Sequence, residues 1–350
     1  MNYKISFCTV CMNRLHHLRQ TLPKNIEDNL SYPNTEFIVM DYSSSDGLSD
    51  WIQKEMSTYI DNGILTYYRY ENAKYFDRGH SRNMMFKLAS GEIICNVDAD
   101  NYLGTNFPFY VNSVFNAEDD IFLIPDTKKK YYYIRDVLGR FCARKNDFLS
   151  VRGYDEKMKG YGFEDDDLYN RLENIGKKEV IIKDMAYLNA IKHENEDRVA
   201  NEFFTNSLDS LYIHYESSKR SRVILLYKDG SFNTGRIIPN ESNTPSPAVL
   251  ENLAWRKGTW KKLDNNILLQ FSDSEESILS NQEHFLICEN QVFYKIKSVA
   301  FQNRLPYELP LITNYSHFLH NKMNKEIVND KGFGMGSVSK NFSLEKYGIN

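Results

Sequence analysis

The first hundred residues alternate between short apolar runs and stretches with helical spacing, and this alternation limits the possible folds more than any other feature of the chain. The apolar runs read KISFCTV, EFIVMDY, ILTYYRY and EIICNV. Helical patterns lie between them, over residues 13–22 up to Pro23, from a Ser45-Asp46 cap to about residue 59, and in SRNMMFKLAS. Repeated strand–helix units predict an α/β fold, with a mainly parallel sheet and helices on both faces.

From about residue 222 the pattern changes to short β-rich runs separated by Asp-Gly, Asp-Asn-Asn and Glu-Asn turns, which predicts a small antiparallel module. Trp255 and Trp260 are predicted to anchor its core. One helical pattern follows near residues 316–328, and the Gly/Ser-rich end is expected to be loose. We therefore expect an α/β domain over residues 1–218, a β module over 219–306 and a helical or loose tail over 307–350.

Composition argues against several classes of protein. The 350-residue chain has a formal net charge of -4, whereas nucleic-acid binders usually show a basic excess. No apolar run approaches the roughly 18 residues of a membrane span, and the five cysteines form neither a zinc-ligand pattern nor a disulfide framework. We expect a cytoplasmic protein without a membrane span. Peripheral membrane association and the oligomeric state stay open.

The motif NVDADN ends the fourth apolar run with two carboxylates, Asp98 and Asp100. Ligands of parallel sheets bind at the carboxyl ends of the strands, where Asp41 also ends the second run. Carboxylates of this kind suit Mg²⁺ or Mn²⁺, which bridge phosphate oxygens. The alternative is a polar strand end, because Asp is common at turns.

The stretch GYGFEDDDLYNRL places four acidic residues in succession, at positions 164–167. A helix start favours acidic residues, and Asp167 is spaced to pair with Arg171 while Leu168 and Leu172 form an apolar face. The preference of a helix start for acidic residues and the pair with Arg171 account well for two of the four acids, but poorly for all four. A carboxylate among aromatic side chains and other acids can also serve as a general base.

His193, in KHENEDR, follows the apolar runs EVIIKD and MAYLNAI. A single histidine is more often a structural hydrogen-bonding group than a ligand. A neutral imidazole can nevertheless join two carboxylates around a divalent metal.

Six segments between residues 5 and 198 occur in a fixed order: TVCMNRLHHL, VMDYSSSDG, FDRGHSRN, NVDADN, GRFCARKNDFLSVRGYDEKMKGYGFEDDDLYNRL and KHENEDR. In this order they resemble the GT-A glycosyltransferases, in particular the family 2-like group and the β-1,4-galactosyltransferases. The resemblance implies a Rossmann-like GT-A catalytic domain over residues 1–218. It also implies a nucleotide sugar and a glycan or glycolipid acceptor as partners.

The resemblance assigns roles to individual residues. The side chains implied to bind the donor nucleotide sugar are Thr9, Val10, Arg14, Asp41, Arg78, Asn83, Asp98 and Tyr161. The implied metal ligands are Asp98, Asp100 and His193. Glu164 would hold sugar hydroxyls, and Asp165 stands where inverting relatives keep the catalytic base. Phe163 replaces a small residue of the family pattern, which is expected to reshape the acceptor site.

The resemblance thus implies an inverting transferase that uses Mn²⁺ or Mg²⁺ and a UDP-sugar, such as UDP-galactose or UDP-N-acetylgalactosamine, in surface polysaccharide synthesis. Two separate acidic clusters fit this chemistry, because one can serve a metal at the diphosphate and the other the acceptor hydroxyl. The alternatives are a retaining enzyme of the polypeptide N-acetylgalactosaminyltransferase type, a two-metal phosphohydrolase, and a non-catalytic nucleotide-sugar or carbohydrate-binding protein. The run KKKYYYIR, at residues 128–135, is predicted to be a solvated strand or loop.

Overall fold

A computed structural model gives the structure of residues 1–126, 136–241, 246–251 and 255–350. The run at residues 128–135 lies outside the described residues. In chain order the strands are β1 (Ile5–Cys11), β2 (Thr35–Tyr42), β3 (Leu65–Tyr70), β4 (Ile93–Asn96), β5 (Asn101–Tyr102), β6 (Ile121–Pro125), β7 (Phe141–Arg144), β8 (Lys178–Ile182), β9 (Asn189–Ala190), β10 (Leu208–Ser217), β11 (Arg220–Tyr227), β12 (Ser231–Pro239), β13 (Ala248–Leu250), β14 (Arg256–Leu263), β15 (Asn266–Phe271), β16 (Glu276–Asn281), β17 (Phe285–Cys288), β18 (Gln291–Lys295), β19 (Gly336–Lys340) and β20 (Lys346–Ile349). The helices are α1 (Leu15–Glu27), α2 (Leu48–Glu55), α3 (Ser57–Asp61), α4 (Arg78–Leu88), α5 (Phe107–Ala117), α6 (Lys145–Ser150), α7 (Glu164–Asn174), α8 (Asn195–Val199), α9 (Phe203–Ser207) and α10 (Val299–Asn324).

Contacts between residues divide the chain into two units. The first consists of Met1–Lys157, Glu164–Glu194 and Lys325–Asn350. The second consists of Met158–Phe163 and Asn195–Asn324. This division differs from the predicted boundaries at residues 218 and 306, because residues 195–218 belong to the second unit and residues 325–350 belong to the first.

The sheet of the first unit has the strand order β20-β19-β3-β2-β1-β4-β7-β6-β8. Strands β3, β2, β1 and β4 are parallel, as are β6 and β8, whereas β7 is antiparallel to both of its neighbours. The α/β class is therefore confirmed, and the sheet is mixed: its centre, β3-β2-β1-β4, is parallel as predicted, whereas four of the eight pairings in the described sheet are antiparallel. The apolar pattern did not reveal the reversed strand β7.

Strand β1 explains why helices cover both faces. All seven of its residues are buried, and successive side chains point to opposite sides of the sheet. Ile5 and Phe7 pack with buried residues of α1, α2 and α5, whereas Cys8 and Val10 pack with those of α4, α6 and α7. Two apolar layers therefore enclose the sheet, as predicted.

Helix α1 does not end at Pro23, as was predicted, but continues to Glu27 with the proline inside it. A proline removes one helical hydrogen bond, here the bond to the carbonyl of Arg19. Arg19 is exposed, so water can bond to that carbonyl. Burial of Asn25 and Ile26 holds the last turn in place.

The C-terminal segment is ordered as strands, not loose as predicted. β19 and β20 form a hairpin, and β19 pairs with β3 at the edge of the sheet. Asn329 anchors this segment: its Nδ2 donates to the carbonyls of Arg152 at 2.8 Å and Tyr154 at 2.7 Å, and its Oδ1 accepts the N–H of Glu156 at 3.1 Å. These are non-local bonds, which a local sequence pattern does not reveal.

The predicted C-terminal helix begins much earlier, since α10 extends from Val299 to Asn324 and contains Pro306 and Pro310. The prolines obscured its first half, because proline is unfavourable inside a helix. Among the helices of the described residues, none is long and apolar enough to cross a bilayer.

The antiparallel module of the second unit is confirmed and is a closed barrel. β10, β18, β17, β16, β15, β14 and β12 pair in succession, and β11 pairs with both β10 and β12, which closes the ring. Trp260 packs against the barrel core and donates its indole N–H to the Tyr227 carbonyl at 2.9 Å. Trp255 packs against a second apolar cluster, so both tryptophans contact apolar cores as predicted.

Replacing Asn329 by alanine should lower the free energy of unfolding by about 2–4 kcal/mol, as measured by urea denaturation followed by circular dichroism. The change removes the hydrogen bonds of a buried amide and places an ordinary residue at a φ of 52°, where L-residues are strained. Asn329→Gly should recover about 1 kcal/mol, because glycine accepts this φ. Asn62→Ala, at an exposed position, should change stability by less than about 0.5 kcal/mol. Equal losses in Asn329→Ala and Asn62→Ala would contradict the anchoring role.

Candidate active site

A buried arginine, Arg82 on α4, joins the two acidic motifs of the sequence. Its side chain is 3 % exposed. Its Nη2 donates to Oδ1 of Asp98 at 3.2 Å, and its Nη1 donates to Oδ1 of Asp165 at 3.1 Å. The same Nη1 lies 3.8 Å from Oε1 of Glu164, and the guanidinium carbon lies 5.2 Å from the ring centre of Tyr154. One cation therefore connects the end of β4 with the start of α7.

The charges in this cluster set each other's pKa values. Burial raises the pKa of Asp165 to about 7, nearby Glu164 and Asp98 add to the increase, and Arg82 opposes it. Burial acts in the same direction on Asp98, but Arg82, Asn96 and other donors outweigh it and hold the pKa of Asp98 below its ordinary value. The cluster therefore contains one carboxyl that titrates near neutral pH beside another that stays ionised.

Asp165 accepts two hydrogen bonds and stays partly exposed. The hydroxyl of Tyr154 donates to its Oδ1 at 3.1 Å, beside the bond from Arg82, and the side chain keeps 23 % of its surface exposed. Its neighbour Asp167 instead accepts from Nε of Arg171 at 2.8 Å, as predicted from their spacing. Within the acidic run, Glu164 and Asp165 therefore lie at Arg82, whereas Asp167 stabilises α7.

Asp100 and His193 meet because β5, which begins at the last residue of the NVDADN motif, pairs with β9. The N–H of Ile191 donates to the Asp100 carbonyl at 2.8 Å, and Nε2 of His193 lies 2.8 Å from Oδ2 of Asp100. This hydrogen bond raises the pKa of His193. The ring of His17 lies 5.3 Å from that of His193, and burial lowers the pKa of His17 to about 4, so His17 is neutral at physiological pH.

Polar side chains of α1 hold the segment that follows Asp98. The hydroxyl of Thr21 donates to the Ala99 carbonyl at 2.7 Å, and Nδ2 of Asn25 donates to the Asn101 carbonyl at 2.9 Å. Oδ1 of Asn25 accepts the N–H of Leu103 at 2.8 Å. The motif is thus fixed from beneath by buried amide and hydroxyl groups.

Arg140, which is fully buried, also supports this segment. Its guanidinium donates to the carbonyls of Tyr187 at 2.9 Å and Tyr102 at 3.1 Å. These residues lie in or beside the two strands whose pairing brings Asp100 to His193. Arg140 is therefore a positioning residue for that pair.

Four residues that are predicted to bind the donor nucleotide sugar lie at or just after the carboxyl ends of β1 and β2. Asp41 is fully buried, and its carboxylate accepts from the Tyr67 hydroxyl at 2.6 Å, Arg69 Nη1 at 2.8 Å and the Ser44 N–H at 2.8 Å. It holds the loop after β2, and its contact with the base stays a prediction. Thr9 and Val10 are buried in β1, whereas Arg14 is half-buried at the start of α1.

Helix α4 carries two further residues that are predicted to bind the donor nucleotide sugar, and they differ in position. Arg78, its first residue, is half-buried and lies over the ring of Phe76, with its guanidinium carbon 5.5 Å from the ring centre. Asn83 is fully buried, and its amide bonds to the backbone of Tyr154 at 2.8 and 2.9 Å and to Glu156 at 2.9 Å. These hydrogen bonds give Asn83 a structural role. Its contact with the donor nucleotide sugar stays a prediction.

Tyr161 and Phe163 belong to the second unit. The ring of Tyr161 stacks on Tyr307 at 5.2 Å, and Arg198 lies over it at 5.9 Å. Phe163 has a φ of 66° and packs on Tyr315, with 4.8 Å between the ring centres. Aromatic stacking thus fixes both rings, and their predicted roles toward the sugars are not tested by these contacts.

The predicted metal ligands are only partly assembled. Asp100 and His193 present a carboxylate oxygen and an imidazole nitrogen to each other, which is a donor pair that suits Mn²⁺. Asp98 bonds instead to Arg82 and Asn96. Among the described residues, no group of three or more His, Cys, Asp or Glu side chains is arranged to hold a metal. Asp100 and His193 fit a metal site, and the participation of Asp98 stays a prediction.

The sequence patterns missed the buried residues that organise the site, namely Arg82, Arg140, Tyr154, Thr21 and Asn25. One signal was available for Arg82, which lies four residues after Arg78 and therefore one turn further along the same helix. The others act through non-local bonds.

Family models match the chain over two adjacent stretches. Residues 6–122 match the model described as glycosyl transferase family 2. Residues 123–194 match the model described as N-terminal domain of galactosyltransferase. No curated protein matches the chain with significance.

Several solved structures are similar to part of the chain, each at 16 % identity. The mannosyltransferase PcManGT from Pyrobaculum calidifontis, in complex with GDP-Man and Mn²⁺, matches 57 % of this chain and 60 % of its own, with a TM-score of 0.46. TarS 1–349 from S. aureus, in complex with UDP-GlcNAc, matches 55 % and 60 %, with a TM-score of 0.45. The catalytic domain of Drosophila β1,4-galactosyltransferase 7, in complex with xylobiose, matches 57 % and 74 %, with a TM-score of 0.40. The match thus spans about three fifths of the first two proteins.

The family models carry the assignment. Together they account for residues 6–194, which is more than half of the chain and includes Arg82, Asp98, Asp100, Asp165 and His193. Residues 6–122 therefore form a glycosyl transferase family 2 domain, and the stretch that matches the N-terminal domain of galactosyltransferase continues it to residue 194.

Proposed function

We propose that the chain is a metal-dependent, inverting glycosyltransferase that moves galactose, N-acetylgalactosamine or a similar sugar from its UDP-sugar to a glycan or glycolipid acceptor. Surface polysaccharide synthesis in the cytoplasm is the setting we infer. The observation that carries the proposal is the separation of two sites in one unit. Asp100 and His193 form a pair suited to a metal, and Asp165 titrates near neutral pH in another cluster.

Asp165 would act on the acceptor. Arg82 and Tyr154 both donate to its Oδ1, which holds the carboxyl in place. As the acceptor oxygen bonds to the anomeric carbon, the bond from that carbon to UDP breaks, UDP leaves with the electron pair, and the acceptor proton passes to Asp165. A base with a pKa near the working pH is suited to this transfer. Attack opposite the leaving group inverts the anomeric configuration.

Asp100 and His193 would hold the divalent cation, and Asp98 would stand beside them with its charge kept by Arg82. When bound, a divalent cation supplies Lewis-acid stabilisation of the charge that develops on the diphosphate. Thr21, Asn25 and Arg140 would keep this edge of the site rigid, so that Asp100 needs little reorganisation on binding.

The donor and metal assignments predict Mn²⁺-dependent release of UDP from at least one of UDP-Gal, UDP-GalNAc, UDP-Glc and UDP-GlcNAc. Asp100→Asn and His193→Gln should each weaken UDP binding in the presence of Mn²⁺ at least about tenfold, as measured by isothermal titration calorimetry. His16→Gln, an exposed histidine on the same helix as His17, should bind as the unaltered protein does. If the unaltered protein and all three variants bound UDP equally well with and without Mn²⁺, the metal assignment would be wrong.

Asp165→Asn should lower the rate of sugar transfer by about 10²- to 10⁴-fold, because the amide does not accept the proton. UDP binding should stay within about twofold, since Asn keeps the shape and the contact with Arg82. Asp166→Asn, an exposed acid on the same helical turn, is the matched control and should keep its activity. Full activity in Asp165→Asn, or a product with retained anomeric configuration, would show that the base assignment is wrong.

The raised pKa of Asp165 predicts the pH dependence of kcat/KM. The carboxyl accepts a proton only when ionised, so activity should fall as the pH drops below about 7 and should reach a plateau above it. At one unit below the pKa about one tenth of the molecules are ionised, and the rate should be about one tenth of the plateau. Initial rates between pH 5.5 and 8.5 measure this. A profile that stays flat down to pH 5.5 would contradict the assignment.

A further inference from the structure

The barrel of the second unit has a cavity at one end, with a volume of about 340 Å³. This lies at the lower end of the range of about 300–1,000 Å³ that is typical of small-molecule sites, which include the mouths of β-barrels. Neither the catalytic residues of the first unit nor the family models, which end at residue 194, account for it. We propose that this cavity is a binding site for neutral carbohydrate, separate from the site of transfer.

The strand period explains how the cavity forms. Side chains two residues apart point to the same side of a strand, here into the barrel. Trp260, Leu279 and Phe293 belong to the apolar core of the barrel. Two residues further along their strands lie Lys262, Asn281 and Lys295, and all three line the cavity. The core therefore continues into a polar layer at the mouth of the barrel.

The floor of the cavity is apolar and aromatic. Tyr212 and Leu226 are buried there, beside the half-buried ring of Trp260. The indole N–H is already bonded to the Tyr227 carbonyl, so the orientation of the Trp260 ring is fixed. Aromatic rings combine an apolar surface with a fixed shape, which suits the C–H face of a sugar ring.

The wall of the cavity provides both donors and acceptors. Asn281 can do both, Lys262 and Lys295 donate, and carboxylates accept. A sugar hydroxyl also both donates and accepts, so a wall of mixed character can satisfy several hydroxyls. The carboxylates of the lining are Asp209, Asp264 and Glu283, and they outnumber the two ammonium groups. This balance favours a neutral ligand over an anionic one.

The choice of a carbohydrate rests on the proposed function, because an enzyme that extends a glycan meets that glycan at high local concentration. A second binding site on the same chain would retain the polymer between transfers through its effective concentration. Binding to the cavity needs neither the metal nor the donor, so it is measurable even if the proposed transfer reaction fails.

The test uses the full chain in EDTA, without nucleotide, and four neutral tetrasaccharides: cellotetraose, maltotetraose, β-1,4-galactotetraose and tetra-N-acetylchitotetraose. Saturation-transfer NMR should detect binding of at least one, and titration should give its Kd. Lys262→Ala and Asn281→Ala should each weaken that binding about two- to tenfold, the effect of losing one hydrogen bond. Both positions accept alanine without loss of the apolar core, and thermal unfolding of each variant checks this.

Two controls define the site. Lys261→Ala removes the same charge from the exposed neighbouring position, on the other side of β14, and should leave the Kd unchanged. Asp165→Asn should also leave it unchanged, because Asp165 belongs to the site of transfer. The proposal is overturned if none of the four sugars binds, if Lys262→Ala and Asn281→Ala bind as Lys261→Ala does, if Asp165→Asn abolishes binding, or if galacturonic acid tetramer binds more tightly than every neutral sugar.

Discussion

The buried guanidinium of Arg82 is the interaction on which the rest of the site depends. A cation with 3 % exposure is stable only if carboxylates surround it, and Asp98, Asp165 and Glu164 do so. These acids come from the end of β4 and the start of α7, so the pairing brings together two motifs that lie far apart in the sequence. Burial raises the pKa of Asp165, and the guanidinium of Arg82 lowers it by a smaller amount. The pKa of this carboxyl is therefore about 7.

A second constraint acts on the other half of the site. Asp100 meets His193 because two very short strands, β5 and β9, pair beside them. Strands of two residues have little stability of their own, and buried polar groups compensate for this. Arg140 and Asn25 bond to the backbone of β5, so the pair of Asp100 and His193 rests on a hydrogen-bonded frame.

Much of the fold followed from local patterns. The first four strands, the helices between them, the pair of Asp167 with Arg171 and the antiparallel module were all predicted, because each depends on spacing within a few residues. The length of α1, the strand character of the tail and the first half of α10 were not. Each of these depends on contacts that override a local signal, such as the bonds of Asn329 to Arg152 and Tyr154.

By itself, the sequence determined the α/β class, the edge of the sheet at which the acids gather, and the family to which they point. Only the tertiary structure decided which side chains contact one another. It joined Asp98 to Arg82 and Asp100 to His193, turned the amide of Asn83 toward Tyr154, and closed the barrel by pairing β11 with β12. The physical reason is that periodicity records which face of an element is buried, whereas partners across the core are set by packing and by the cost of leaving a buried polar group without one.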